Sequence, residues 1–223
     1  MKASSIFDPQ NVNSLNQNFR TKRFSFFKEL LQKIDSDNPI EILDIGGEQS
    51  YWEKMNFTES NEFNITILNL EVQPVKYNNF SSIKGDASDL SIFRDKHFDI
   101  VFSNSVIEHL YSIEKQKMMA SEVRRVGKWY YIQTPNFFFP MEPHWLFPFF
   151  QFLPFIVKVY LTKNFNLGHY KKSKSKAAAI QRVNEVKLLT ENEMKMLFPD
   201  GKVQREYFFG FIKSFTMYYF PEI

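Results

Sequence analysis

The stretch D-I-G-G-E-Q-S, residues 44–50, sets an acid and two adjacent glycines at the end of the apolar run I-E-I-L-D-I (40–45). Glycines there let the backbone approach a ligand closely, and Asp44 can accept the hydrogen bonds that shape such a turn. The third glycine of a G-x-G-x-x-G turn is absent, with Glu48, Gln49 and Ser50 in its place. Taken alone, the stretch fits a nucleotide-like ligand and a plain strand end equally well. Three further stretches extend the theme. Asn69 and Glu71 close N-I-T-I-L-N-L-E (64–71), near the place, about 20 residues on, where a ribose-binding acid is expected. Two positions apart on a strand, they share one face. Asp86 and Ala87 follow a short strand in K-G-D-A-S-D-L. An acid there can accept from an exocyclic amine, and the small alanine leaves room for a purine ring. Ser103, Asn104 and Ser105 end F-D-I-V-F-S-N-S, with Glu108 and His109 just beyond.

Candidate bases are few, because there are only four histidines: His97, His109, His144 and His169. His97 precedes a strand at its far end and reads as a surface residue. His109, in I-E-H-L, is either a base or a packing group at a helix start. Glu142 and His144 stand two apart in a turn bracketed by Pro140 and Pro148. A carboxylate beside an imidazole orients it and raises its basicity, so this is the preferred general-base pair; the alternative is a loop whose polar groups cap nearby backbone. There is no cysteine, which excludes disulfides, thiolate metal sites and a cysteine nucleophile. No metal site is expected.

The elements that must position these groups alternate. Apolar spacing predicts a helix over 14–34, after a loose polar arm over 1–13. Strands are expected at 40–45, 64–71, about 81–84, 97–104 and 128–135. A short helix is expected over 51–56 and a longer one over 113–126, capped by Gly127. This alternation argues for an α/β domain with a parallel sheet and helices on both faces. The rhythm fails over 136–187 and returns with L-L-T-E-N-E-M, where Thr190 and Glu193 form a capping box. Two C-terminal strands flank Gly210, one of them antiparallel at the sheet edge or beside it.

At 223 residues the chain suffices for one α/β domain, and 43% hydrophobic residues exclude global disorder. A net charge of +3 is too small to argue for nucleic acid. The first residues lack the apolar core of a signal peptide, so a cytoplasmic location is expected, with the inner membrane surface as an alternative.

Taken together, I-L-D-I-G-G-E-Q-S-Y-W, I-T-I-L-N-L-E, K-G-D-A-S-D-L, F-D-I-V-F-S-N-S-V-I-E-H-L, Y-Y-I-Q-T-P-N and L-L-T-E-N-E-M-K-M-L-F-P resemble a class I S-adenosylmethionine-dependent methyltransferase of the type 11 kind. The resemblance spans roughly residues 41–199. It implies a Rossmann-like, seven-stranded, mostly parallel sheet. It also implies a first loop around the methionine part of S-adenosylmethionine, ribose contacts from the end of the second strand, and an adenine pocket at the loop after the third. By position these become Asp44, Gly46 and Gly47; Asn69 or Glu71; Asp86 and Ala87; and Ser103 or Asn104 near the sulfonium. Ser50 or the backbone stands in for the missing glycine.

The domain division expected is an N-terminal arm and helix over 1–38 and a methyltransferase domain over 39–223, with a cap inserted over 136–187 that selects the acceptor. Residues 145–161 are almost wholly apolar and have three readings: a lid helix, an apolar acceptor pocket, or peripheral membrane contact. They are too short and too interrupted to span a bilayer. The lysine-rich 163–187 is either a solvated loop or a grip for phosphate or an anionic bilayer; nucleic acid is disfavoured, for want of a binding module. The function expected is methyl transfer, to oxygen of a small molecule or glycan. The rivals are a non-catalytic binding or regulatory protein that kept the fold and a membrane-peripheral protein. An NAD(P)-dependent oxidoreductase needs a fuller glycine turn and a hydride-site pair that are not found.

Overall fold

A computed structural model describes residues 15–222; the polar arm expected over 1–13 lies outside the described residues. In chain order, the first half comprises α1 (Leu15–Leu31), β1 (Ile40–Ile45), α2 (Gln49–Lys54), β2 (Phe63–Asn69), β3 (Phe80–Lys84), β4 (Phe98–Asn104), α3 (Ile113–Val126) and β5 (Gly127–Pro135). Next come the short hairpin strands β6 (Met141–Glu142) and β7 (Phe147–Pro148), then α4 (Phe155–Asn164), α5 (Lys176–Asn184), α6 (Glu191–Leu197), β8 (Lys202–Phe208) and β9 (Phe211–Tyr219).

The last four residues of β1 are all buried, as expected of a strand covered on both faces. It lies between β2 and β4, parallel to both. The full sheet has seven strands in the order β3-β2-β1-β4-β5-β9-β8. The antiparallel strand is β9, one in from the edge, where it pairs with both β5 and β8. Strand order reverses between β1 and β4, so the loops leaving their C-terminal ends flank a crevice. That crevice is where the residues singled out in the sequence converge.

The aromatic load covers one face of the sheet. Phe24, Phe27 and Leu30 of α1 pack with Trp52, Phe102 and Tyr131. Phe102 and Tyr131 stack with ring centres 5.3 Å apart, and Phe27 meets Phe102 edge-on at 5.0 Å. The helix set apart at the sequence level thus shares the domain's core. On the other face, Met119, Val123 and Val126 of α3 pack with Met194 and Phe198. Ser112 caps α3 by accepting from the Lys115 N–H. Gly127 ends the helix and opens β5; a Cβ there would meet Val101 at 2.7 Å. The capping box of Thr190 and Glu193 starts α6.

Between β5 and α6, Trp145, Phe150, Val159, Ala179 and Val183 form a small core of their own, within the residues expected to make the cap. Trp145 stacks on Phe150 at 4.4 Å and donates from Nε1 to Thr162 Oγ1 at 2.9 Å. The apolar run 145–161 therefore divides. One part packs inward, while Phe149, Phe152, Phe155, Ile156 and Tyr160 stay exposed. Among the described residues no helix is long and apolar enough to cross a membrane. Lysines 163, 171, 172, 174 and 176 are solvent-exposed.

Candidate cofactor and acceptor site

The two glycines after β1 are required for different reasons. Gly46 has φ +70° and donates its N–H to Leu68 O at 2.7 Å. A Cβ on it would lie 2.6 Å from a methyl of Val106, in the loop after β4. Gly47 has the Asp44 carboxylate folded against it, so that a Cβ would fall 1.7 Å from Oδ2. Asp44 is only 2% exposed and accepts from Trp52 Nε1 at 2.7 Å. Burial pushes its pKa up to about 7, with the Trp52 hydrogen bond acting in the opposite sense. Asn69, the last residue of β2, donates from Nδ2 to Gly47 O at 3.2 Å and braces the turn from the neighbouring strand. Beside the turn opens a cleft of about 340 Å³, walled by Arg20, Asp44, Gly46, Gly47, Phe102 and Asn104.

The remaining sequence candidates fall in different places. β2 ends at Asn69, so the shared strand face inferred for Asn69 and Glu71 does not extend to Glu71. Glu71 is exposed and pairs with Lys84 at 3.1 Å. Asp86 accepts from Ser88 N and Oγ at 2.8 and 2.7 Å and pairs with Lys115 at 3.3 Å. Ala87 is buried in the core beneath. Ser103 is fully buried, with Oγ 3.4 Å from Ile45 O, whereas Asn104 lines the cleft. Ser50 donates to Glu48 Oε2 at 3.2 Å, both residues lying on the cleft wall. His97 stacks on Phe93 at the far end of β4.

A second cleft, of about 220 Å³, shares Arg20 and Asn104 with the first and is bounded by Glu108, Gln133, His144 and Lys213 among others. At its wall two of the four histidines, His109 and His144, meet. Glu142 is 1% exposed; its Oε2 accepts from the backbone N–H of His144 and of Trp145 at 2.8 and 2.7 Å, and its Oε1 lies 2.7 Å from His144 Nδ1. His144 Nε2 lies 3.3 Å from His109 Nε2, and His109 Nδ1 lies 3.4 Å from Glu185 O. Burial works against a charged His144 ring, but the carboxylates of Glu142 and Glu108 outweigh it and hold the pKa above the ordinary value. Burial and the neighbouring His144 lower that of His109. Glu108 is fully buried, its Oε2 accepting from Thr134 Oγ1 at 2.9 Å; desolvation raises its pKa to about 7.

Arg20, Ser105, Gln133 and Lys213 escaped the sequence reading. Arg20 makes no side-chain hydrogen bond or ion pair among the described residues. Burial and the nearby Arg23 lower its pKa. Lys213 is brought down to about 8, first by burial. Each is a single basic residue with no motif around it. Glu108 was noticed, but only as the neighbour of His109.

The state of Asp44 makes a prediction. Its folded pKa, about 7, lies above the ordinary 3.8, so the folded chain binds more protons than the unfolded chain between these values. Its contribution to stability therefore falls as pH rises through that window. Asp44→Asn, which keeps an acceptor for Trp52, is expected to flatten the pH dependence of urea-unfolding stability over that range. An unchanged slope would show that Asp44 titrates normally.

Residues 47–129 match the methyltransferase-domain family, type 11. An uncharacterized protein of Mycobacterium tuberculosis is 39% identical over 56 residues, which are 25% of this chain and 19% of that protein. The aligned part thus spans about a fifth of that relative's length. Among solved structures, a SAM-dependent methyltransferase from Archaeoglobus fulgidus gives a TM-score of 0.56 at 12% identity, covering 94% of this chain and 96% of that one. One from Methanosarcina mazei gives 0.52 at 15%, covering 85% and 94%. The CurJ carbon methyltransferase gives 0.57 at 9%, covering 97% of this chain and 56% of its own. At such identities the likeness is one of fold. Joined to the sheet order and the glycine turn, it shows that the chain has the fold of the class I S-adenosylmethionine-dependent methyltransferases, with the methyltransferase-domain match confined to residues 47–129.

Proposed function

We propose that the protein methylates an oxygen of a small-molecule or glycan acceptor. The observation that carries this reading is the common wall of Arg20 and Asn104 between the cleft at the glycine turn and the cleft at His144. A donor in the first cleft and an acceptor in the second meet across that wall.

The first cleft fits S-adenosylmethionine. Gly46 and Gly47 leave room that a Cβ would fill, and Asn69 holds the turn open from β2. Arg20 borders the same space, with no side-chain hydrogen bond among the described residues and with the Glu48 carboxylate near it, which suits the methionine carboxylate. When bound, the cofactor supplies a sulfonium-activated methyl group. The chain's own task is to align the acceptor, exclude water and take up a proton. Glu142 fixes the His144 ring through Nδ1, leaving Nε2 as the proton acceptor for a hydroxyl. Arg23 and Lys213 border the second cleft but are both paired with the Glu206 carboxylate, at 2.9 and 3.3 Å. His144→Ala and Glu142→Gln are each expected to lower turnover by ~10²–10⁴ while leaving S-adenosylhomocysteine binding intact. Near-normal turnover in both would remove the pair from the chemistry.

A second property is carried by the outer face of the cap. Phe149, Phe155 and Ile156 are 56%, 48% and 81% exposed, next to a lysine-rich stretch. Apolar side chains beside basic ones favour contact with an anionic bilayer, where an amphiphilic acceptor would be met. Because Trp145 is buried in the cap, its replacement would test packing and not contact. Phe149→Ser with Ile156→Ser is expected to abolish co-sedimentation with anionic liposomes; sedimentation equal to that of the unaltered protein would remove membrane contact.

A further inference from the structure

We propose that Glu108, His109 and His144 bind one divalent transition-metal cation at the wall of the second cleft. No metal was expected from the sequence, in which the two histidines lie 35 positions apart. The short 3-10 turn after β4 (Ile107–His109) and the β6–β7 hairpin of the cap bring them together.

With both rings neutral, the hydrogen bonding around them leaves nothing between the two facing Nε2 atoms. His144 Nδ1 faces a carboxylate oxygen of Glu142 at 2.7 Å, and His109 Nδ1 faces the carbonyl of Glu185 at 3.4 Å. Both facing groups are acceptors, so each ring carries its proton on Nδ1. The two Nε2 lone pairs are then turned on one another at 3.3 Å, with the ring planes at 88°. Two neutral imidazoles so placed repel, and either a proton on His144 Nε2 or a metal cation between the two nitrogens relieves it. Nitrogens each about 2.0–2.1 Å from a tetrahedral zinc ion stand about 3.3 Å apart, which matches the spacing found.

Glu108 supplies an independent observation. Its side chain is fully buried, one oxygen accepts from Thr134, and the other, Oε1, has no hydrogen-bond partner among the described residues. A buried carboxylate oxygen left unpaired is costly, and a cation would satisfy it. Ligand atoms of Glu108, His109 and His144 all lie within 4.8 Å of one another, so the carboxylate has only to draw in for the three to share one ion. The surroundings are those of a metal site: a carboxylate behind one imidazole, a carbonyl behind the other, and a hydroxyl on the ligating carboxylate. Two imidazoles and one carboxylate favour zinc, iron or cobalt over magnesium or calcium. Three protein ligands leave a coordination position open, and Glu108 and His144 both border the second cleft. There the ion would bind the acceptor oxygen and ease loss of its proton, taking over the role given above to the His144 lone pair. That use rests on the proposed methyl transfer; binding of the ion does not.

The test is equilibrium dialysis of the full chain against zinc and, separately, cobalt(II), without cofactor, followed by elemental analysis and visible spectroscopy. One ion per chain is expected, with cobalt d–d bands of low-coordinate intensity. His109→Gln and His144→Gln should each lower affinity at least ~100-fold, and Glu142→Gln, which orients His144 without ligating, ~10–100-fold. Unchanged S-adenosylhomocysteine binding in the variants shows that the fold survives. Failure of the unaltered protein to take up one ion overturns the proposal, as does uptake by His144→Gln with undiminished affinity. Methyl transfer that persists after chelation would then leave the proposed function standing with His144 as the base, so the two readings fail separately.

Discussion

A buried carboxylate, at the one point in the sheet where strand order reverses, fixes the cofactor side of the site. Asp44 cannot be solvated at the end of β1, and its partner is the indole N–H of Trp52, eight residues on. That bond pulls α2 back against the strand it follows and seats Trp52 among Phe24, Phe27 and Phe102. It also folds the carboxylate over the backbone of residue 47, where no Cβ would fit. The glycine turn, the start of α2 and the packing of α1 thus follow from one polar group that must be satisfied in an apolar place. With β2 contributing Asn69 to the same turn, the approach to the cofactor cleft is held by two neighbouring strands.

The second cleft depends on a second buried carboxylate. Glu142 directs its hydrogen bonds forward along the chain, to the backbone of His144 and Trp145 and to the His144 ring. By closing this turn it aims His144 back at the loop after β4 while sending Trp145 outward into the cap's own core. The insertion is thereby tied to the crevice at the residues that face it. Gly168, with φ +53°, passes so close to the backbone of His144–Leu146 that a Cβ would lie 2.5 Å from the Trp145 carbonyl carbon, which draws the lysine-rich loop under the same hairpin.

Much of this was legible in the sequence because it is local. β1, α3, β5 and the final strand pair show in apolar runs and caps, and the Glu142–His144 contact in a spacing of two within a proline-bracketed turn. The glycine turn was legible for a different reason, since strand periodicity stops where the backbone must turn. What escaped was non-local. No periodicity announces that Arg20 of α1 overlooks the end of β1, or that Lys213 of β9 reaches the same crevice. The second strand was expected to run two residues further, to Glu71; β2 stops at Asn69, whose Oδ1 accepts from the next N–H and turns the chain. The meeting of His109 with His144 belongs to the cap's placement, which the irregular composition of 136–187 did not encode in any repeating pattern.

The central claim is that the turn at Gly46 and Gly47 cradles S-adenosylmethionine despite the missing third glycine. Isothermal titration with S-adenosylhomocysteine, with NAD as the control, tests it most directly. Micromolar binding to S-adenosylhomocysteine alone is expected, lost in Gly46→Val, where the side chain would collide with Val106. No heat at millimolar ligand, or binding that survives Gly46→Val unchanged, would contradict it.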